Sequence, residues 1–146
     1  MIGIIVCGHG NFGTGISSAL KLIAGLPENF ECIDFEENDT VENLERKFKI
    51  ALDKLKECTE CLCFTDILGG SPFKVAVQIS MSSENQKIVV IGGTNLGMLI
   101  EISMATSYIH NIDELADKAL DIGKMNVVKF VYEHIEESIE DYSDGI

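Results

Sequence analysis

The apolar residues of this chain follow two alternating rhythms. Short runs rich in Val and Ile, bounded by glycines or turn residues, predict buried strands. Stretches with an apolar residue every third or fourth position predict amphipathic helices. The first run, Ile2-Gly-Ile-Ile-Val-Cys-Gly-His-Gly10, is a strand that ends in a glycine-flanked histidine. Ile16, Ala19, Leu20, Ile23 and Ala24 then share a helical face, with Asn11 or Thr14 as the capping residue, and Gly25-Leu-Pro27 stops the helix. Phe30–Phe35 alternates as a second strand. A long helix opens at Asp39-Thr40 and runs through Lys56, turning Val41, Leu44, Phe48, Ala51, Leu52 and Leu55 inward. Cys61–Thr65 is a third strand, closing on Asp66-Ile-Leu-Gly-Gly-Ser-Pro72.

Ser71 is the expected N-cap of the next helix and Pro72 its first residue, where a missing N–H does no harm. That helix carries Val75, Ala76, Ile79 and Met81 and ends at the turn Ser82–Asn85. Lys87–Ile91 is continuously apolar after its lysine and predicts a central fourth strand. Helices follow over Leu96–Thr106 and from Ile112 to about Gly123. Asn126–Tyr132 is β-branched and aromatic; it reads as a final edge strand, open to antiparallel pairing, or as more helix. The order β-α-β-α-β-α-β-α predicts an α/β fold, a single domain of three layers, α/β/α, around a mostly parallel sheet. The domain is expected to span residues 1–132, with an acidic tail over 133–146.

Composition narrows the function. The 146 residues suit one domain, and 46% hydrophobic with 24% charged residues is ordinary for a globular protein. No apolar run approaches the roughly 18 residues of a membrane span. No signal peptide is expected, and the cytoplasm is the expected compartment. The net charge of −13 argues against nucleic acid and permits steering of a basic protein partner. Much of the acidic excess lies in Glu133–Asp144, which reads as an aid to solubility. Five cysteines, an odd number scattered over strands, fit a reducing compartment. Cys58-Thr-Glu-Cys61 has a C-x-x-C spacing, but no second pair or nearby histidine completes a ligand set. No metal and no cofactor is expected.

Three loops follow strands: Gly8–Thr14, Asp66–Pro72 and Gly92–Asn95. In an open α/β sheet, ligands bind beyond the carboxyl ends of the strands, at a topological switch point. If strands one and three are neighbours, His9 and Asp66 emerge into the same crevice. A carboxylate on the imidazole Nδ1–H fixes the tautomer and leaves Nε2 with a free lone pair, which suits a nucleophile or a general base. Gly69-Gly70-Ser71 precedes one helix start and Gly10 to Thr14 another, and helix N-termini suit phosphate. Ser71 and Thr14 offer hydroxyl donors. No P-loop motif is present, and Gly8-His-Gly10 with Gly13 does not match G-x-G-x-x-G. One phosphoryl group beside a histidine suggests a phosphohistidine intermediate. His110 and His134 read as structural or solvated.

Four stretches carry a resemblance: Ile4-Ile-Val-Cys-Gly-His-Gly10, Ile33-Asp-Phe35, Thr65-Asp-Ile-Leu-Gly-Gly-Ser-Pro-Phe73 and Gly92-Gly-Thr-Asn-Leu-Gly-Met-Leu-Ile-Glu101. With them the chain resembles the enzyme IIA component of the mannose-class phosphoenolpyruvate-dependent sugar phosphotransferase system, over roughly residues 2–132. The resemblance implies that His9 accepts a phosphoryl group at Nε2 from the carrier protein HPr. It would pass the group to a histidine of the IIB component, which serves the membrane IIC/IID permease. It also implies Asp66 as the orienting carboxylate, Ser71 beside the phosphoryl group, and a homodimer in which the C-terminal strand crosses to the partner. Lys74 and Gly97 depart from the usual Asn and Pro of relatives. The alternatives are the phosphotransfer subunit of a phosphoenolpyruvate-dependent dihydroxyacetone kinase, a regulatory IIA-like module, and, ranked last, a hydrolase using His9 as base.

Overall fold

The computed structural model of the chain describes residues 1–132. The acidic tail and His134 lie outside them. The elements are β1 (Ile2–His9), α1 (Phe12–Ile23), β2 (Phe30–Phe35), α2 (Val41–Lys54), β3 (Glu60–Thr65), α3 (Ser71–Ser82), β4 (Lys87–Ile91), α4 (Leu96–Ala105) and α5 (Ile112–Met125). Four parallel strands run in the order β2-β1-β3-β4. This is the α/β architecture that the alternation of rhythms predicts.

Strand alternation builds a core on each face, because successive side chains point to opposite sides of a sheet. Ile4, Val6, Leu62, Phe64 and Ile91 pack with Leu20 of α1, Leu99 and Ile102 of α4 and Leu115 of α5. Ile5, Cys7, Cys61 and Cys63 pack on the other face with Leu44 and Phe48 of α2 and Val75 and Ala76 of α3. Burying each large aliphatic or aromatic side chain is worth about 1.5–3 kcal/mol. β1 is flanked by strands on both edges and helices on both faces. It buries every residue but the last, and that one is His9.

One expectation is corrected. β4 lies at the sheet edge, not the centre, and its middle residues are only half-buried. A continuous apolar run reports cover on both faces and says nothing of lateral position. Residues 126–132 form neither a strand of this sheet nor an extension of α5: the helix ends at Met125 with Asn126 as C-cap. Val127, Val128, Phe130 and Tyr132 are exposed there. Among the described residues no helix is long and apolar enough to cross a membrane.

The C-x-x-C sulfurs belong to the core. Cys58 is 1% and Cys61 0% exposed, and burial pushes the Cys61 thiol up to about 12. Burial likewise raises Cys7, Cys63 and, less enclosed, Cys32. Thiolate is the reactive form, so a thiol reagent should modify the folded protein slowly and mainly at Cys32. The other four cysteines should react only after unfolding. Fast native modification of Cys58 or Cys61, read by mass spectrometry, would contradict this packing.

Candidate functional site

The strand order creates the site. From β1 the chain crosses to β2 on one side, then returns past β1 to β3 on the other. The crevice between the ends of β1 and β3 is therefore the switch point at which α/β proteins bind ligands. His9 ends β1, and Asp66 directly follows β3.

The two residues make a double contact. The His9 backbone N–H donates to Asp66 Oδ2 at 2.9 Å, and His9 Nδ1 lies 2.7 Å from the same oxygen. The Ile67 N–H donates to Asp66 Oδ1 at 2.9 Å. Partial burial works against the charge on Asp66. The bonds from the His9 amide, the imidazole and the Ile67 amide outweigh it and hold the carboxyl below its ordinary range. An ionised carboxylate only accepts, so Nδ1 must carry the proton and Nε2 the lone pair. The His9 side chain is 47% exposed against 16% for Asp66. One edge of the ring is thus held while the other faces solvent.

The glycines next to His9 have specific geometric roles. Gly10 has φ +59°, a left-handed conformation that favours glycine, and a Cβ there would meet nothing within 4 Å. Its N–H donates to the Phe35 carbonyl at 2.8 Å. Gly70 lies against the imidazole: a Cβ there would be 2.8 Å from Cε1 and 3.5 Å from Nε2. Gly69 makes the turn before it, with φ +78°.

The helix starts differ from expectation at two residues. Gly70, not Ser71, is the N-cap of α3, so Ser71 is the first helical residue and Pro72 the second. Pro72 is tolerated at either place in the first turn. Thr14, expected to offer a hydroxyl to phosphate, commits both donors to Asp34. Its N–H reaches Oδ1 at 2.9 Å and its hydroxyl Oδ2 at 2.6 Å. Asp34 thereby caps α1, twenty residues away in sequence, which no local pattern could reveal.

Helix α3 has no such cap. The helices α2, α4 and α5 are capped by the side chains of Thr40, Asn95 and Asn111. The first turn of α3 has neither a capping side chain nor an acidic residue. Every helix start leaves N–H groups without intrahelical partners. Here they are those of Ser71 and Phe73, beside the Gly70 that touches the ring, and they suit an anion.

Phe35 and Lys47 were not singled out for the site by their sequence pattern. The Phe35 ring meets the imidazole edge-to-face, with centroids 5.8 Å apart and planes at 63°. Lys47 Nζ donates to the Asp34 carbonyl at 2.9 Å and to Asp39 Oδ2. His110 sits after α4, whose last turn lies beside Met1 and Ile2, so it is at the far end of the sheet from His9. Among the described residues no three His, Cys, Asp or Glu side chains are grouped to hold a metal.

The sequence model of the EIIA-man family, described as the PTS system fructose IIA component, matches residues 3–120. The chain is 31% identical over 102 residues to the fructose-specific EIIA component of the phosphotransferase system of Bacillus subtilis (strain 168), covering 70% of this chain and 68% of that one. It is 32% identical over 126 residues to the mannose-specific EIIAB component of Escherichia coli (strain K12), covering 86% of this chain and 38% of that protein. The chain therefore spans little more than a third of that two-part relative. Among solved structures it superposes on phosphotransferase system component EIIA from Streptococcus agalactiae with a TM-score of 0.83, at 35% identity and covering 89% of this chain and 98% of that one. For a mannose/sorbose-specific IIA subunit from Enterococcus faecalis the TM-score is 0.78 at 25% identity, with 88% and 94% covered.

The Asp66 bonds have a signature in pH. Its folded pKa is depressed below the ordinary value of about 3.9, so its contribution to stability is fully present above about pH 5. That contribution is lost as pH falls through the depressed value. In urea unfolding, the stability gap between wild type and Asp66→Asn should narrow steadily on acidification from about pH 5 to pH 2.5. A gap that stays constant or widens in acid contradicts the geometry.

Proposed function

The chain belongs to the EIIA-man family of phosphotransferase-system IIA components, which serve sugar phosphotransfer, and from that premise we propose that His9 is its phosphoryl carrier. The observation that carries the reading is the 2.7 Å contact between Asp66 and Nδ1, which leaves Nε2 as the nucleophilic nitrogen. The donor is phosphorylated HPr. The Nε2 lone pair attacks its phosphorus, the donor's P–N bond breaks, and that electron pair stays on the donor imidazole. The proton stays on Nδ1, donated in a hydrogen bond to Asp66, whose charge stabilises the cationic phosphoimidazole ring.

The phosphoryl oxygens then meet the start of α3. Uncapped N–H groups of Ser71 and Phe73, the Ser71 hydroxyl and the dipole of α3 supply donors to them. Gly69 and Gly70 keep that turn close to Nε2, and Gly10 leaves the approach to the ring open. Thr14 serves indirectly in this reading, by anchoring α1 to Asp34. Transfer onward reverses the geometry: a histidine of IIB attacks the same phosphorus and His9 leaves. About half of the His9 side chain is exposed, as a nitrogen met in turn by two proteins requires.

In this reading residues 1–132 are the phosphocarrier domain, residues 133–146 a solubilising tail, and the protein works in the cytoplasm. It acts as a homodimer. The open edge of β4 and the exposed Val127, Val128, Phe130 and Tyr132 support an exchanged, antiparallel C-terminal strand.

Incubation with phosphoenolpyruvate, enzyme I and HPr should place acid-labile, base-stable phosphate on His9. An unlabelled protein, or label persisting in His9→Ala, would sink the reading. Asp66→Asn should slow the transfer by about tenfold or more, because a carboxamide does not neutralise the cationic ring. Unchanged kinetics would remove Asp66 from the mechanism.

A further inference from the structure

We propose that Phe35 is a positioning residue for phosphoryl transfer, holding the His9 ring plane that Asp66 alone leaves free; this rests on the reading of His9 as the carrier. A hydrogen bond to Nδ1 fixes one point of the imidazole. The terminal torsion of histidine is broad, so a ring held at one point can still rock, and Nε2 swings furthest. With the side chain 47% exposed, solvent gives the outer half no support. Gly70 lies along Cε1. A further restraint is the Phe35 ring, within the distance at which edge-to-face aromatic pairs attract. It offers no hydrogen bond, so it steadies the ring without competing for Nε2.

Phe35 is itself held more firmly than the end of an edge strand requires. Its backbone is paired in register with His9, and its carbonyl accepts the Gly10 N–H at 2.8 Å. The preceding residue, Asp34, grips Thr14 through both carboxylate oxygens. Lys47 then ties the corner together from α2. Its ammonium bonds the Asp34 carbonyl and Asp39, and lies 3.6 Å from Glu36. The hydrogen bond from Lys47 holds the Asp39 carboxyl below its ordinary range. Three elements thus converge on the residue that touches the ring from the side opposite Asp66. A misplacement of about 1 Å at a reacting atom can cost two orders of magnitude in rate, which gives such bracing a use.

The test is the rate of His9 phosphorylation as a function of phospho-HPr concentration, in wild type, Phe35→Ala, Phe35→Leu and Phe35→Tyr. Phe35→Ala should lower the saturating rate about tenfold or more, with the half-saturating donor concentration within about twofold of wild type. Phe35→Leu, which keeps apolar bulk and safeguards the fold, should show a smaller loss of the same kind. Phe35→Tyr, which keeps the ring, should restore the rate to within about threefold. A saturating rate in both Phe35→Ala and Phe35→Leu within about twofold of wild type overturns the proposal. So does a loss confined to the half-saturating concentration, which would make Phe35 a docking residue. Failure of wild type itself to label overturns the carrier reading, and the proposal with it.

Discussion

One short contact organises this molecule: Asp66 Oδ2 against both the backbone N–H and the imidazole Nδ1 of His9. It joins residues 57 positions apart, and it exists only because β1 and β3 are hydrogen-bonded neighbours. That adjacency requires β2 to lie on the far side of β1 and the helices to divide between the two faces. Each face of the sheet then needs its own apolar set, and strand alternation supplies both. The fold is, in this sense, the device that brings a carboxylate to one edge of a histidine and leaves the other edge in water.

The same contact orders the chemistry. A carboxylate held in its charged form by three N–H donors fixes the tautomer, and the tautomer makes Nε2 the nucleophile. The first turn of α3, kept without a side-chain cap and without acid, then faces that nitrogen. In the proposed mechanism the negative charge that would repel phosphate is placed where it supports the ring cation. The partial positive charge of a helix start is placed where phosphate oxygens arrive. The region around β2, with Asp34, Phe35 and Lys47, is the counterweight on the other side of the ring.

Much of this was legible in the sequence. The layers followed from periodicity, and His9 and Asp66 stood out because glycine-rich loops followed two buried strands. What stayed hidden depended on lateral or tertiary placement. β4 read as central because apolar runs report cover above and below, not beside. Ser71 read as the N-cap because Pro72 is acceptable at either of the first two helical positions. Thr14 read as a phosphate donor because Asp34, its partner, comes near only through the β1–β2 crossover. Phe35 looked like one more alternating strand residue, and only the register that sets it opposite His9 gives it a ring to touch. For residues 126–132 the sequence left strand and helix open, and the single chain pairs them with neither.

The central claim is that Asp66 assigns the reacting nitrogen. Nitrogen-15 NMR of the protein labelled in histidine, before and after phosphorylation, tests it most directly. The account predicts that unphosphorylated neutral His9 carries its proton on Nδ1, and that phosphorus couples afterwards to Nε2 with the Nδ1 proton retained. Phosphorus on Nδ1, or a resting proton on Nε2, would contradict it.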